Sequence, residues 1–543
     1  MKKVVLLAVN AKYIHSSLSV WVIAGGVSKY ARYSHDVCVV EATINQSVVE
    51  VVNEVIKYKP EVIGVSSYIW NADMLSELLR LLRMQLPDVI IVLGGPEASN
   101  NAGYWLENGA NHVLCGEGEY ELPRLLDALV EDAPEKHAPD EDVLANDNPI
   151  NDTPIKDNPI DPYTDVYLDA LGGRLAYIET SRGCPFSCAF CLSAGSKVKY
   201  FPLDIVKNQI LKLSKSNTKT VKFVDRTFNC NPDRAYLIFD YIIGLDTSCT
   251  FHFEVAADLF DEKMLKRLES APPGRIQFEI GLQSFYEPAL KASSRQTDII
   301  KAEQNIRALM KMQNIHIHVD LIAGLPYETL LEFKNSFDRA YSLNAHTLQL
   351  GFLKLLHGSK LREQADLYKI RYSKKPPYEI TGSPWLSAED IKTLKQAENA
   401  LQHTYNKGRF LSTLDYVLNI TGKRPFSLFN ELGIAIPNHG TQLENYAALI
   451  YEFFTTLPGI EVNKLKDHMI YDWLSMVKGN NAPEIMKNND NRRKHVVKEA
   501  EKALGHKMRR EEYAILSSDK GIFVNRNNRN PVTGLYEVHI FPL

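Results

Sequence analysis

Short runs of aliphatic and β-branched residues alternate with longer amphipathic stretches over the first 130 residues. The runs at 4–9, 37–41, 62–66, 89–93 and 112–115 read as strands, and the stretches 17–33, 48–57, 72–85 and 100–108 carry apolar positions at helical spacing. Such alternation predicts a parallel sheet built from right-handed crossovers. Five strands fit an open, doubly wound sheet with its ligand crevice at the strands' carboxyl ends. Residues 131–165 break the pattern. Asp, Asn and Pro predominate there, and Asn-Pro-Ile occurs at 148–150 and again at 158–160, so the segment reads as an exposed linker. A second alternation spans 166–370, with strands expected at 177–180, 221–224, 250–255, 276–280, 316–322 and 347–352 and helices between them. Six such units fit a partial (β/α)6 barrel, whose chemistry sits at the carboxyl ends of its strands. From 371 to 543 helices are expected at 387–405, 408–419, 443–457 and 464–477. Three alternating runs at 514–518, 521–525 and 536–541 follow, giving an α+β region without a catalytic motif.

Composition narrows the function classes. At about 150 residues per domain, 543 residues agree with three or four domains. The chain is 45% hydrophobic and 24% charged, which excludes a mostly disordered chain. A net charge of −4 argues against a surface coated for duplex nucleic acid. The basic stretch 487–510 (Lys487, Arg492, Arg493, Lys494, Lys498, Lys502, Lys507, Arg509 and Arg510) reads as a solvated helix face partnered by Glu499 and Glu501. Contact with a phosphate-bearing substrate or RNA is the other reading, made weaker by the lack of interleaved aromatics. No apolar run reaches the ~20 residues of a spanning helix. The run after Lys3 is too short for a secretory signal, so a cytoplasmic protein is expected. The seven cysteines are no disulfide framework, yet three fall within eight residues, which in a reducing compartment suggests metal.

Those three lie in Ser181-Arg182-Gly183-Cys184-Pro185-Phe186-Ser187-Cys188-Ala189-Phe190-Cys191, just after an expected strand. Three thiolates can hold three corners of a [4Fe–4S] cube and leave the fourth iron open for chemistry. Gly183 and Pro185 favour a tight irregular loop, and Phe190 could cover the cluster and face a planar ligand. Structural zinc would need a second Cys or His pair, whereas Cys38, Cys115, Cys230 and Cys249 stand apart.

The segment resembles the radical S-adenosylmethionine (SAM) enzymes, whose signature is Cys-x3-Cys-x-aromatic-Cys, with Phe190 at the aromatic position. The resemblance implies a partial barrel, a cluster on Cys184, Cys188 and Cys191, and SAM on the open iron. One-electron reduction there yields a 5′-deoxyadenosyl radical. Further matches extend it. Glu254, at the third strand, stands where the family carries a polar residue for the methionine part of SAM. Gln283 and Ser284, at the fourth, stand where the ribose is contacted. Gly324 and Leu325 begin a Gly-Leu-Pro motif similar to the one near adenine, and Gly324 permits close backbone approach. Asp225 ends the second strand, where relatives often show paired acids. Arg226 replaces the second acid, so Asp225 either binds SAM or substrate or pairs with Arg226. His316, His318 and Asp320 alternate on one strand and face one side. They read as polar lining, with a second metal site as the other reading.

A doubly wound domain before such a barrel resembles the cobalamin-binding domain, over roughly residues 1–130. Ser66 follows the third strand, where the family uses a hydroxyl to reach the nucleotide tail. Gly94 and Gly95 follow the fourth and let backbone approach a bulky cofactor. Cys115-Gly116-Glu117-Gly118-Glu119 is similar to the family's Gly-Glu-Gly-Glu turn, which makes Glu117 a candidate contact. Where the methionine-synthase type has Asp-x-His-x-x-Gly, this chain has Tyr13-Ile14-His15-Ser16-Ser17-Leu18. His15 stands at the position of the lower cobalt ligand, without the acid that would orient it. It reads equally as a corrin contact or a helix-entry residue. The C-terminal region is similar to that of a branch with its own C-terminal domain (DUF4080-like).

The resemblance implies an enzyme using a [4Fe–4S] cluster, SAM and cobalamin, most simply to methylate an unactivated carbon of a substrate that the sequence does not name. A low-potential donor such as flavodoxin or ferredoxin is the expected electron partner. The alternatives are a radical rearrangement, cobalamin-independent chemistry, and a cofactor-binding sensor or scaffold without turnover. tRNA methylthiolation would require a second cysteine-bound cluster in the first domain, where only Cys38 and Cys115 are available.

Overall fold

The computed structural model describes residues 1–131, 159–436, 442–476, 483, 492–509 and 512–543. Most of the expected linker, together with Lys487, Asp490 and Arg510 of the basic stretch, lies outside the described residues. Two compact units form. The first comprises Met1–Leu259, Lys291–Gln296 and Leu353–Ser383, and the second Phe260–Leu290, Thr297–Phe352 and Pro384–Leu543.

In the first unit, β1 (Lys3–Asn10), β2 (Asp36–Thr43), β3 (Val62–Ser66), β4 (Ile90–Gly94) and β5 (His112–Leu114) form a parallel sheet in the order β2-β1-β3-β4-β5. The unbroken apolar run in β1 follows from helices covering both faces. Val5, Leu7 and Val9 point to one side, into a core with Val51, Leu75 and Leu78 of the helices Val48–Ile56 and Ala72–Gln85. Val4, Leu6 and Ala8 point to the other, against Val20, Val27, Leu122 and Leu126 of Leu18–Tyr30 and Gly118–Glu131. Strand order reverses between β1 and β3, so the crevice opens outside their carboxyl ends. Buried Asn71 fixes that edge. Its Nδ2 donates to Val9 O (3.1 Å) and Ser66 O (3.0 Å), and its Oδ1 accepts from Tyr68 N (2.9 Å).

The same unit contains β6 (Ala176–Ile178), a two-residue antiparallel hairpin of β7 (Ser181–Arg182) and β8 (Lys199–Tyr200), then β9 (Thr220–Phe223) and β10 (Thr250–Val255). β6, β9 and β10 are parallel neighbours in that order. The hairpin is too short to leave a periodicity, yet it closes the base of the cysteine loop.

In the second unit, β11 (Ile276–Gln283), β12 (His316–Ala323) and β13 (Thr347–Phe352) pair in parallel. Buried apolar and half-buried, mostly polar, residues alternate along β11 and β12. β11 runs three residues past its expected end, and its pairing with β12 shifts between Gly281 and Gln283. The C-terminal region contains the expected helices as Ala388–His403, Leu411–Thr421, Leu443–Thr455 and Val462–Met476, and an antiparallel sheet of Tyr513–Leu516, Lys520–Arg529 and Tyr536–Pro542. The sequence reading missed the helix Pro425–Ala435. Within it Gly433 lies where a Cβ would collide with the Gln396 carbonyl, so helix packing requires glycine there. In the basic stretch the helix Arg493–Leu504 buries Val496 and Ala500. Among the described residues no helix is long and apolar enough to cross a membrane.

Candidate functional site

The cysteine loop is held by backbone geometry that only its own sequence permits. Gly183 has φ +104°, and a Cβ there would lie 2.5 Å from Lys197 O. Cys184 N donates to Ser196 Oγ (3.0 Å), Gly195 N to Phe186 O (2.8 Å) and Cys191 N to Cys188 O (3.0 Å). The three thiols are free; Cys184 and Cys188 are buried, and Cys191 and Phe190 are half-buried. Burial pushes the Cys191 thiol up, against the Ser193 backbone hydrogen bond and the Arg226 charge. Three free thiols on one short loop fit a group that takes three protein sulfurs and keeps one position open.

Asp225 does not pair with Arg226, which is exposed. Its carboxylate accepts from Thr180 N (2.9 Å), Thr180 Oγ1 (2.7 Å) and Ser181 Oγ (2.5 Å), so its oxygens are committed to the chain leading into the cysteine loop. Burial pushes its carboxyl up to about 6, with the Ser181 and Thr180 hydrogen bonds opposing. Glu254 is half-buried on β10.

Arg182, beside Gly183, carries a link that sequence reasoning missed. Its guanidinium contacts Glu179 (2.7 Å), Glu117 (2.8 Å) and Glu119 (2.9 Å). Burial works against that charge, but the Glu179 hydrogen bond and the charges of Glu179, Glu119 and Glu117 outweigh it and raise the guanidinium. Glu117 is therefore engaged by the cysteine loop. Two carboxylates in one Gly-Glu-Gly-Glu turn call for a nearby cation, and that was the available signal.

At the crevice, Gly95 takes φ +99°, and a Cβ would lie 2.6 Å from Ser67 O. Gly94 ends β4 opposite Ser66. Ser66 is buried, but it is Ser67 Oγ that is buried without a hydrogen-bond partner. An orphaned hydroxyl beside a glycine-lined crevice fits a cofactor that brings its own donors and acceptors. His15, for which no orienting acid was found, has its Nδ1 2.6 Å from Tyr177 Oη. Burial first, then Lys222 and Lys12, lowers its pKa and keeps the ring neutral. The loop is held by Leu175 N donating to Ile14 O (2.8 Å) and Arg174 Nη1 to His15 O (3.2 Å), while Arg174 also pairs with Glu41 (2.9 Å). Glu97, just past Gly95, is buried against Tyr378 Oη (2.5 Å).

In the second unit, Gln283 takes φ +69° and its Oε1 is buried without a partner. Ser284 is engaged internally: its hydroxyl donates to Glu328 Oε1 (2.5 Å) and accepts from Tyr286 N (2.9 Å). Gly324 has φ +99° and Leu325 is buried. The structure splits the expected histidine set. His316 bonds Val532 O (2.9 Å) and stacks on His346, whereas His318 Nε2 lies 2.9 Å from Asp320 Oδ1 and joins Glu279 of β11.

A doubly wound crevice domain and a three-thiol loop on a β/α strand define an α/β cofactor-binding protein. More narrowly, its segments match a B12 binding domain and, after it, a radical SAM superfamily domain. Family models match residues 4–126 (B12 binding domain), 178–340 (Radical SAM superfamily) and 366–527 (Protein of unknown function, DUF4080). The chain is 22% identical over 449 residues to the cobalamin-dependent radical SAM methyltransferase TokK of Streptomyces tokunonensis, covering 77% of this chain and 65% of that one. The cobalamin-dependent SAM radical enzyme OxsB superimposes with a TM-score of 0.58 at 14% identity, covering 87% of this chain and 79% of the other. The methyltransferase TsrM from Kitasatospora setae, solved with cobalamin and a [4Fe–4S] cluster, gives 0.55 at 16%, covering 69% and 78%. At these identities the likeness is one of fold.

Proposed function

We propose that this chain is a cobalamin-dependent radical SAM methyltransferase that methylates an unactivated carbon, with Cys184, Cys188 and Cys191 as the cluster ligands. The observation that carries the reading is the Arg182 link, which joins the three-thiol loop to the Gly-Glu-Gly-Glu turn of the B12 binding domain within one compact unit. When bound, the cluster supplies the electron that cleaves SAM, and cobalamin supplies the methyl group. The chain's own residues bind and orient. Gly94 and Gly95 admit the corrin, and Ser66 and Ser67 offer hydroxyls to its tail. Neutral His15, held at Nδ1 by Tyr177, is available at its other nitrogen. Gln283, Gly324 and Leu325 take the nucleoside part of SAM, and Glu254 its methionine part. The names of TokK and TsrM support methyl transfer over rearrangement.

The test is anaerobic purification with hydroxocobalamin, followed by iron and corrin analysis and turnover with methyl-labelled SAM. About four irons, about one corrin per chain and label in the product support the proposal. Product without label indicates rearrangement, four irons without corrin indicate cobalamin-independent chemistry, and no SAM cleavage under reducing conditions indicates a sensor or scaffold.

A further inference from the structure

Segment 291–296 docks on the cysteine loop of the same unit. Ala189 N donates to Ser293 O (2.8 Å), and Leu361 N donates to Ala189 O (2.7 Å), so the residue after Cys188 is held on both its polar groups. From this anchored position Arg295 Nη1 reaches Cys188 Sγ at 3.5 Å. Among the described residues no other hydrogen bond from a charged side chain to one of the three thiols is found. The bond is charge-assisted once the sulfur is a thiolate. The added electron of a reduced iron–sulfur cluster spreads over its sulfurs, so a cationic donor on one of them stabilises the reduced state more than the oxidised one.

We propose that Arg295 is a positioning residue that raises the reduction potential of the cluster through its N–H···S bond to Cys188, bringing it within reach of the electron donor. This rests on the cluster reading above. It assigns to Arg295 a redox role that sets the cluster's potential and needs no contact with SAM.

The experiment compares Arg295→Gln and Arg295→Lys with the wild-type full chain, each loaded anaerobically and titrated reductively without SAM, with the reduced cluster read by electron paramagnetic resonance. Wild-type chain without four irons would sink the cluster reading itself and is thereby told apart. With iron retained, Arg295→Gln should raise the oxidised-to-reduced ratio at a fixed potential about tenfold, equal to ~59 mV for one electron, and Arg295→Lys should do so less. If only Arg295→Lys holds its cluster, its shift decides. Unchanged potentials overturn the proposal, as does weakened SAM binding at unchanged potential. Loss of iron in both variants also overturns it, replacing tuning by a role in loop assembly.

Discussion

Replacing Arg182 with Met tests the link between the cysteine loop and the B12 binding domain. The guanidinium faces three carboxylates at 2.7–2.9 Å, and its side chain is 28% exposed against 11–21% for the acids. One unit pair about 4 Å apart at an effective dielectric of 20 attracts by about 4 kcal/mol, so three pairs give a gross attraction near 12 kcal/mol. Repulsion among the acids and desolvation of all four groups cancel most of it. What survives on removing the shared cation is about 3–5 kcal/mol, because three carboxylates are left facing one another without compensation. Urea unfolding of Arg182→Met at pH 7.5 should show this loss. Hydrogen exchange should rise in peptides covering 112–120 and 181–200. A double-mutant cycle with Glu117→Gln should give a coupling of about 1–3 kcal/mol. A loss below about 1 kcal/mol with no coupling would show that these contacts behave as exposed ion pairs and refute the reasoning.

Three further outcomes are expected. Gly95→Ala forces a Cβ onto a φ of +99° and against Ser67 O, so it should cost about 1–3 kcal/mol in thermal unfolding and lose bound corrin; an unchanged melting temperature would contradict this. Tyr378→Phe leaves buried Glu97 without its donor and should cost about 1–3 kcal/mol, partly recovered by Glu97→Gln. Since burial raises the Glu97 pKa, stability from that group is lost as pH rises, and the Tyr378→Phe deficit should be greatest at high pH. Asp225 titrates near 6 when folded against 3.8 unfolded, so its contribution is full at low pH and falls by about 3 kcal/mol as pH rises through that window. Asp225→Asn should remove this slope, and parallel urea midpoints between pH 4.5 and 7 would refute it.

What the sequence made legible is local. The β1 run is apolar because both faces of its sheet are covered, and Cys-x3-Cys-x2-Cys is readable because a small cluster needs its ligands close together. What it hid is long-range. The bond from Tyr378 to Glu97 spans 281 positions, that from Tyr177 to His15 162, and that from Arg295 to Cys188 107. None leaves a periodicity, since nothing in a helix or strand repeat at one end depends on the residue at the other. Asp225, seen alone at a strand end, looks like a ligand because its three donors, Thr180 N and Oγ1 and Ser181 Oγ, lie 44 and 45 positions away.

The polar residues at the strand ends therefore divide by remaining hydrogen-bonding capacity. Asp225, Ser284, Glu97 and Glu117 are satisfied within the chain, and a satisfied group gains little from a ligand that must first break its bonds. Ser67 Oγ and Gln283 Oε1 are buried and unpaired among the described residues. Each such orphan costs about 1–3 kcal/mol in the ligand-free protein, a penalty that a bound donor or acceptor would remove. The unmet capacity at the crevice thus includes Ser67 beside Ser66, and at the fourth-strand end it lies on Gln283 beside the internally bonded Ser284. At 283 and 284 adjacent side chains differ in environment: the Ser284 hydroxyl is met within the chain, and the Gln283 amide oxygen is left to be met from outside.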